Sequence, residues 1–387
     1  MSIHGTYSVV SYGEMVRSGP RVRAYAEALR AAITPGCTVL DIGAGFGFFA
    51  ILACQFGAGR VIAVEPAEAI TLGPDLARAN GCADRITFVH GLSDDLGEES
   101  RADVIIADLR GVFPLFKRHI PTIADARARL LKPGGTLITQ RDTLRCALVS
   151  DVKLAGMAFD PWDANAFDLD FSAGRRISVN TRRKTTASPE ALISDPQDLA
   201  EVDYRTVTDP NVSGSASLVA TRSAPAHGVL AWFDAELAGG QGFSNAPDQP
   251  TLVYEQMFFP FERPVEIAAG DRVDFDLDLR LMGEDYTSIW RTRIARTGAP
   301  ELRFSQSSAL AEFTTPADLR RRSGSHVPQS TARLELDRYC LSRFDGMTSQ
   351  ATIAREAMDR APGRFATEAE ALGYVAALAA RYHDPGH

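Results

Sequence analysis

The chain has 387 residues, 45% of them hydrophobic, with 41 Lys and Arg against 49 Asp and Glu for a formal net charge of -8. At roughly 100 to 200 residues per domain this is enough for two or three cored domains, and an acidic balance without a long run of like charge argues against non-specific attraction to nucleic acid or an anionic membrane. The five cysteines (Cys37, Cys54, Cys82, Cys146, Cys340) form no CxxC pair, no apolar segment is long enough to cross a bilayer, and the N-terminus lacks a basic stretch followed by an apolar core, so a reduced, cytoplasmic protein without a metal site is expected.

In chain order, an apolar strand at Val39–Ile42 carries Asp41 and runs into Gly43, Gly45 and Gly47 before a helix over Phe48–Phe56. A second strand, Val61–Val64, leads to Glu65, and a helix over Ala67–Asn80 separates it from strand Ile86–His90. Strand Val104–Ala107 follows, then a helix over Ile120–Leu131 that Lys132–Gly135 (KPGG) should end before strand Thr136–Thr139. Apolar strands alternating with helices describe a doubly wound α/β sheet of the Rossmann-like kind. A dinucleotide-binding turn needs a third glycine where this chain has Phe48. The bulk of Phe48 and Phe49 disfavours a pyrophosphate at the helix start, and the pattern suits S-adenosyl-L-methionine, with Glu65 accepting the ribose hydroxyls.

From Leu144 the pattern changes to short alternating stretches such as Arg272–Leu281 (RVDFDLDLRL) between Pro and Gly clusters, which predicts an antiparallel β-barrel or sandwich. The polar interval Phe167–Asp203 reads as an arm inserted for contacts. Beyond Ser305 the chain becomes Ala- and Arg-rich, with helical periods over Thr348–Arg360 and Thr367–Tyr382. The expected domains are 1–143, 144–304 and 305–387.

The order of YGEMVRSGPRVRAY (Tyr12–Tyr25), VLDIGAGFGFFA, VIAVEP, VHGLSDDL, IIADLRGV, HGVLAWFDAEL and FSNAP over residues 7–300 resembles the protein arginine methyltransferases, a branch of the class I methyltransferases. The resemblance implies that Arg21 pairs with the methionyl carboxylate of S-adenosyl-L-methionine, that Asp41, Gly43 and Gly45 surround its amino-acid part, that Glu65 holds the ribose, and that Ser93 and Asp94 border the adenine. It also implies a homodimer formed through the arm.

Two departures concern the acceptor. The family grips a guanidinium with two glutamates. Asp108 stands at the first position, and Lys117 falls on the second. An ammonium about 4 Å from a guanidinium costs roughly 4 kcal/mol at an effective dielectric of 20, which predicts an acceptor other than arginine. The family's Thr-His-Trp triplet is replaced by Leu252, Val253 and Tyr254, while Gln256 and Phe258 remain. Asp108, Arg110, Lys117 and His119 then become the candidate acceptor groups, with Lys117 and Arg110 holding an acidic substrate and His119 as the base.

The tail from Leu334 resembles small winged-helix modules of the PqqD type, which bind leader peptides. The expected function is methyl transfer to an N or O acceptor on a peptide or small metabolite. The alternatives are a non-catalytic peptide-binding or dimeric scaffold, and a true arginine methyltransferase whose acidic loop is shifted in register.

Overall fold

A computed structural model describes residues 8–17, 19–163, 167–313 and 315–382. The ends of the expected first and third domains, 1–7 and 383–387, lie outside the described residues. In the first third, helices α1 (Val9–Val16) and α2 (Pro20–Ala32) precede β1 (Thr38–Ile42), α3 (Phe48–Gln55), β2 (Arg60–Glu65), α4 (Gly73–Ala79), β3 (Ile86–His90), β4 (Ala102–Ala107), α5 (His119–Arg129) and β5 (Leu131–Leu137). The five strands form one sheet in the order β3-β2-β1-β4-β5, all pairs parallel. The apolar runs of the central strands β1, β2 and β4 are buried on both faces, as parallel strands covered by helices require, while the edge strands β3 and β5 are partly exposed. Pro20 at the first turn starts α2, where a missing N–H is harmless, and α2 buries Ala24, Tyr25, Ala28 and Leu29 in the same core as β1.

The KPGG stretch does not end α5. The helix stops at Arg129, Ala102 N–H donates to the Leu130 carbonyl at 2.8 Å, and the chain re-enters the sheet at once. KPGG lies inside β5, where Gly134 at φ +76 belongs to a shift in the pairing with β4.

Next come β6 (Thr139–Val149), helices α6 (Val152–Ala158), α7 (Asp160–Asp163) and α8 (Ser172–Ser178), and strands β7 (Arg183–Thr185), β8 (Gln197–Asp203), β9 (Val212–Val219), β10 (Ala224–Leu237), β11 (Gly242–Ser244), β12 (Gln256–Ile267), β13 (Arg272–Met282), β14 (Asp285–Ala295) and β15 (Leu302–Ser307). They make two antiparallel sheets, β7-β12-β10-β6-β8 with β11 beside β10, and β15-β14-β13-β9. The expected break at 143/144 falls inside β6. Its residues Leu144, Cys146 and Leu148 share one core with Val39 of β1 and with Phe233 and Trp290 of the barrel.

The interval expected to hold the arm, 167–203, is only partly helical. The helical insertion is Val152–Ser178, and 183–203 returns to the barrel as β7 and β8. Both are edge strands, and a strand with one open edge and a solvated face carries the polar residues that read as a loop.

The chain separates into two units, Met1–Phe313 and Thr314–His387. The second holds α9 (Pro316–Arg322), α10 (Ala332–Ser342), α11 (Gln350–Arg360) and α12 (Glu368–Tyr382). Leu336, Cys340, Ile353, Ala357, Phe365 and Val375 form its core. Among its described residues there is no strand.

Candidate functional site

The carboxyl ends of β1, β2 and β4 meet at one edge of the parallel sheet, where open α/β sheets bind ligands. Gly43 at φ +72 and Gly45 at φ +57 adopt the left-handed conformation that explains the alternation of glycines after Asp41. The Gly43 and Ala44 N–H groups donate to the Val64 carbonyl at 2.9 and 3.1 Å, tying the turn to β2. A side chain at Gly43 would collide with Leu109, and one at Gly45 would meet the Tyr12 ring of α1 at 2.8 Å. The turn is thus a close backbone approach, covered by α1 through Tyr12 and by the residue after Asp108.

Glu65 is buried, and each carboxylate oxygen accepts one backbone N–H, Gly45 at 3.0 Å and Ala67 at 2.9 Å. A carboxylate has about four lone-pair positions, so Glu65 braces the turn and keeps capacity for a pair of hydroxyls. Asp41 is 2% exposed, and its Oδ2 has no hydrogen-bond partner among the described residues. Burial, with Glu65 and Asp108 nearby, pushes its carboxyl up to about 7 against a backbone hydrogen bond that acts the other way. An orphaned buried carboxylate oxygen fits a cationic ligand group such as the ammonium of an amino acid. Ser93 is buried and its carbonyl accepts from Arg129 at 3.0 Å, whereas Asp94 is exposed. It is Asp95 that accepts the Leu92 N–H, at 2.9 Å.

Asp41 yields a stability prediction. The folded protein keeps a proton on it up to about pH 7, while the unfolded chain releases that proton near the ordinary value of about 4. Between those values the folded state binds more protons, so this group lowers the stability of the ligand-free protein as pH rises through the window. Asp41→Asn should raise the melting temperature at about pH 8 relative to wild type, with the difference shrinking toward about pH 4. Melts showing the same gap at both pH values would contradict this.

Asp108 follows β4 and is the centre of a buried network. Arg21 Nε and Nη2 each lie 2.6 Å from its Oδ2. The Tyr254 hydroxyl sits 2.7 Å from Oδ1 and 2.6 Å from Oδ2, and Arg110 Nη1 lies 3.2 Å from Oδ1. Arg110 in turn donates to Asp142 through Nε (2.8 Å) and Nη2 (2.7 Å) and to the Tyr25 hydroxyl. Tyr204 donates its hydroxyl to Asp142 at 2.6 Å. The charges alternate, two guanidiniums with two carboxylates, as a buried cluster must. Burial alone would raise the Asp108 carboxyl, but Arg21, Arg110 and the Tyr254 hydroxyl outweigh it and hold it down to about 2. Tyr254 stacks on Phe243 at 6.0 Å and meets Phe233 edge-on at 5.3 Å, so the barrel fixes the tyrosine that reaches the sheet edge.

Two of the expected acceptor groups are not part of this cluster. Lys117 is exposed, at φ +46, with its ammonium 5.4 Å from the centroid of its neighbour Phe116. His119 is 2% exposed at the start of α5, its ring edge-on to Tyr204 at 5.1 Å, and neither ring nitrogen has a hydrogen-bond partner among the described residues. Burial, with Arg110 nearby, pushes the imidazole down to about 3, which keeps it neutral and sealed from an acceptor. The residues that surround Asp108 instead are Tyr25, Asp142, Tyr204 and Tyr254. Asp142 carried a signal in the sequence, since an acid within the alternating run of β6 needs a buried cation. A cleft of about 400 Å³ lined by Arg145, Trp232, Asp234 and Asp248 lies elsewhere on the barrel and contains none of these groups.

Two family models match the chain: the ribosomal protein L11 methyltransferase (PrmA) over residues 24–140 and the arginine methyltransferase oligomerization subdomain over residues 140–283. A probable protein arginine N-methyltransferase 6 of Arabidopsis thaliana is 28% identical over 61% of this chain, which matches only 56% of that relative's length. An arginine N(omega)-methyltransferase of Streptomyces achromogenes subsp. streptozoticus is 28% identical over 70% of this chain and 76% of its own. Among solved structures, the Trypanosoma brucei PRMT1 enzyme-prozyme complex with AdoHcy aligns with a TM-score of 0.71 at 21% identity, covering 76% of this chain and 97% of that one. Arabidopsis thaliana protein arginine methyltransferase 10 aligns with a TM-score of 0.67 at 21% identity, covering 78% and 97%. These comparisons do not support the expected non-arginine acceptor. That expectation rested on Lys117 and on the replaced Thr-His-Trp triplet; Lys117 is exposed, and these relatives are named for arginine. The parallel sheet, the barrel and the two matched models together give this chain the fold of the protein arginine methyltransferases, a Rossmann-like class I methyltransferase domain followed by an antiparallel barrel.

Proposed function

We propose that the protein is an S-adenosyl-L-methionine-dependent methyltransferase whose acceptor is an arginine guanidinium, in a polypeptide or as the free amino acid. The observation that carries the reading is Asp108, a buried carboxylate held ionised beside the glycine turn. Asp41 would hold the cofactor's ammonium, Glu65 its ribose, and Arg21 its carboxylate, with Ser93 and Asp94 toward the adenine. The cofactor supplies an electrophilic methyl carbon. Transfer of that methyl to a guanidino nitrogen would release S-adenosylhomocysteine, and the proton shed by the product guanidinium would pass to solvent. Asp108 is too weak a base to take that proton. Its part is to orient the acceptor and stabilise its charge, and orientation alone contributes roughly 7 to 11 kcal/mol where geometry is good.

The direct test is calorimetric titration with S-adenosylhomocysteine. Saturable binding that Glu65→Ala weakens by tenfold or more is expected, and no binding to the wild-type chain would end the reading.

The assembly proposed is a homodimer through the arm. Val152 and Phe171 are exposed apolar residues of this segment, which lies within the part matched by the oligomerization model. Val152→Asp with Phe171→Asp should convert a dimer to a monomer in sedimentation equilibrium. An unchanged mass would place the contact elsewhere.

A further inference from the structure

Asp108 has no free lone pair for an acceptor. A carboxylate offers about four positions, and four donors are in place: Arg21 Nε and Nη2 on Oδ2, Arg110 Nη1 and the Tyr254 hydroxyl on Oδ1. An acceptor guanidinium must displace one of them. Arg110 is fully buried and fixed by Asp142 and Tyr25, and Tyr254 is fixed between Phe233 and Phe243. Arg21 is different. Its side chain is 13% exposed, against 0% for Arg110, and its one further bond is from Nη1 to the Met15 carbonyl at 2.8 Å, apart from a shared contact with the Tyr254 hydroxyl. Met15 belongs to α1, the helix whose Tyr12 lies against Gly45.

Resting on the function proposed above, we propose that Arg21 is an exchange residue linking the two ligands: without cofactor it fills Oδ2 of Asp108, and when it turns to the cofactor's carboxylate it vacates Oδ2 for the acceptor guanidinium. The exchange keeps the buried charge balanced, because one guanidinium leaves the carboxylate as another arrives, and neither step strands an unpaired ion. Cofactor then precedes acceptor, and each strengthens the other's binding by the same factor.

The test is calorimetry with a Gly-Arg-Gly peptide and with free L-arginine as separate probes, each with and without saturating S-adenosylhomocysteine. In the wild-type protein the probe that binds should gain tenfold or more in affinity when S-adenosylhomocysteine is present. Arg21→Met should bind that probe without S-adenosylhomocysteine as tightly as wild type does with it. Equal affinity with and without S-adenosylhomocysteine in a wild-type protein that binds both overturns the exchange and leaves the proposed function standing. Failure of both probes to bind the S-adenosylhomocysteine complex overturns the two together. Should Arg21→Met not fold, the wild-type comparison still decides.

Discussion

Asp108→Asn should lower methyl transfer by at least about a hundredfold, the scale seen when one fixed electrostatic contact to a reacting group is removed from a closed site. The substitution keeps the shape of the side chain and removes its charge. Arg21 and Arg110, 2.6 and 3.2 Å away, would then face each other across a neutral amide, and an incoming guanidinium would meet two cations with no acid between them. Asp108→Glu, which restores the charge one methylene farther out, should keep measurable turnover. Lys117→Glu is the informative control. Were Lys117 to face the acceptor, reversing its charge would change arginine turnover by orders of magnitude. Exposed and lying over Phe116, it should change turnover by about twofold or less, as expected for a screened surface charge. Steady-state rates for the three variants decide this, and a large gain for Lys117→Glu would return Lys117 to the site.

Arg110→Met should destabilise the fold by about 3 to 5 kcal/mol, the usual cost of removing one partner of a buried ion pair. Arg110 and Asp142 are both fully buried and joined by two parallel N–H to oxygen bonds. Without the arginine, Asp142 keeps the Tyr204 hydroxyl alone among the side-chain donors described, and a lone carboxylate in that core is costly. Replacing both partners should recover much of the loss, because the uncompensated charge goes with the second residue. Urea melts of Arg110→Met, Asp142→Leu and the double variant form a double-mutant cycle. Additive losses would show that the pair is not coupled. A weakly stable single variant also separates this role from that of Asp108, whose neutralisation should reduce turnover more than it reduces stability.

The parts of the molecule legible in the sequence are those written locally. Apolar runs gave the parallel strands, and the positive φ values at Gly43 and Gly45 explain glycines that were readable by spacing. Asp41 and Glu65 were placed correctly at the ends of β1 and β2 for the same reason, since each is fixed by the strand that carries it. What stayed hidden depends on distant partners. The pair Arg110–Asp142 spans 32 positions, and the contact of Tyr254 with Asp108 spans 146. Lys117 and His119 fall outside the Asp108 cluster, which an ungapped loop does not reveal, since it says which residue stands at a position and not which way it points. At Lys117 a left-handed backbone turns the side chain outward, and at His119 the first turn of α5 carries the ring inward against Tyr204. The interval 167–203 reads as one loop-like insertion because the polar edge strands β7 and β8 have the composition of a loop.

The proposed activity is transfer of a methyl group to a guanidinium at this sheet edge. It is tested most directly by incubating the purified protein with S-adenosyl-L-methionine and either an arginine-containing peptide or free L-arginine, then quantifying products by mass spectrometry. One methyl added on a guanidino nitrogen is expected, with S-adenosylhomocysteine formed in equal amount, and loss of both products in Asp108→Asn. S-adenosylhomocysteine binding without methylation of either acceptor would contradict it.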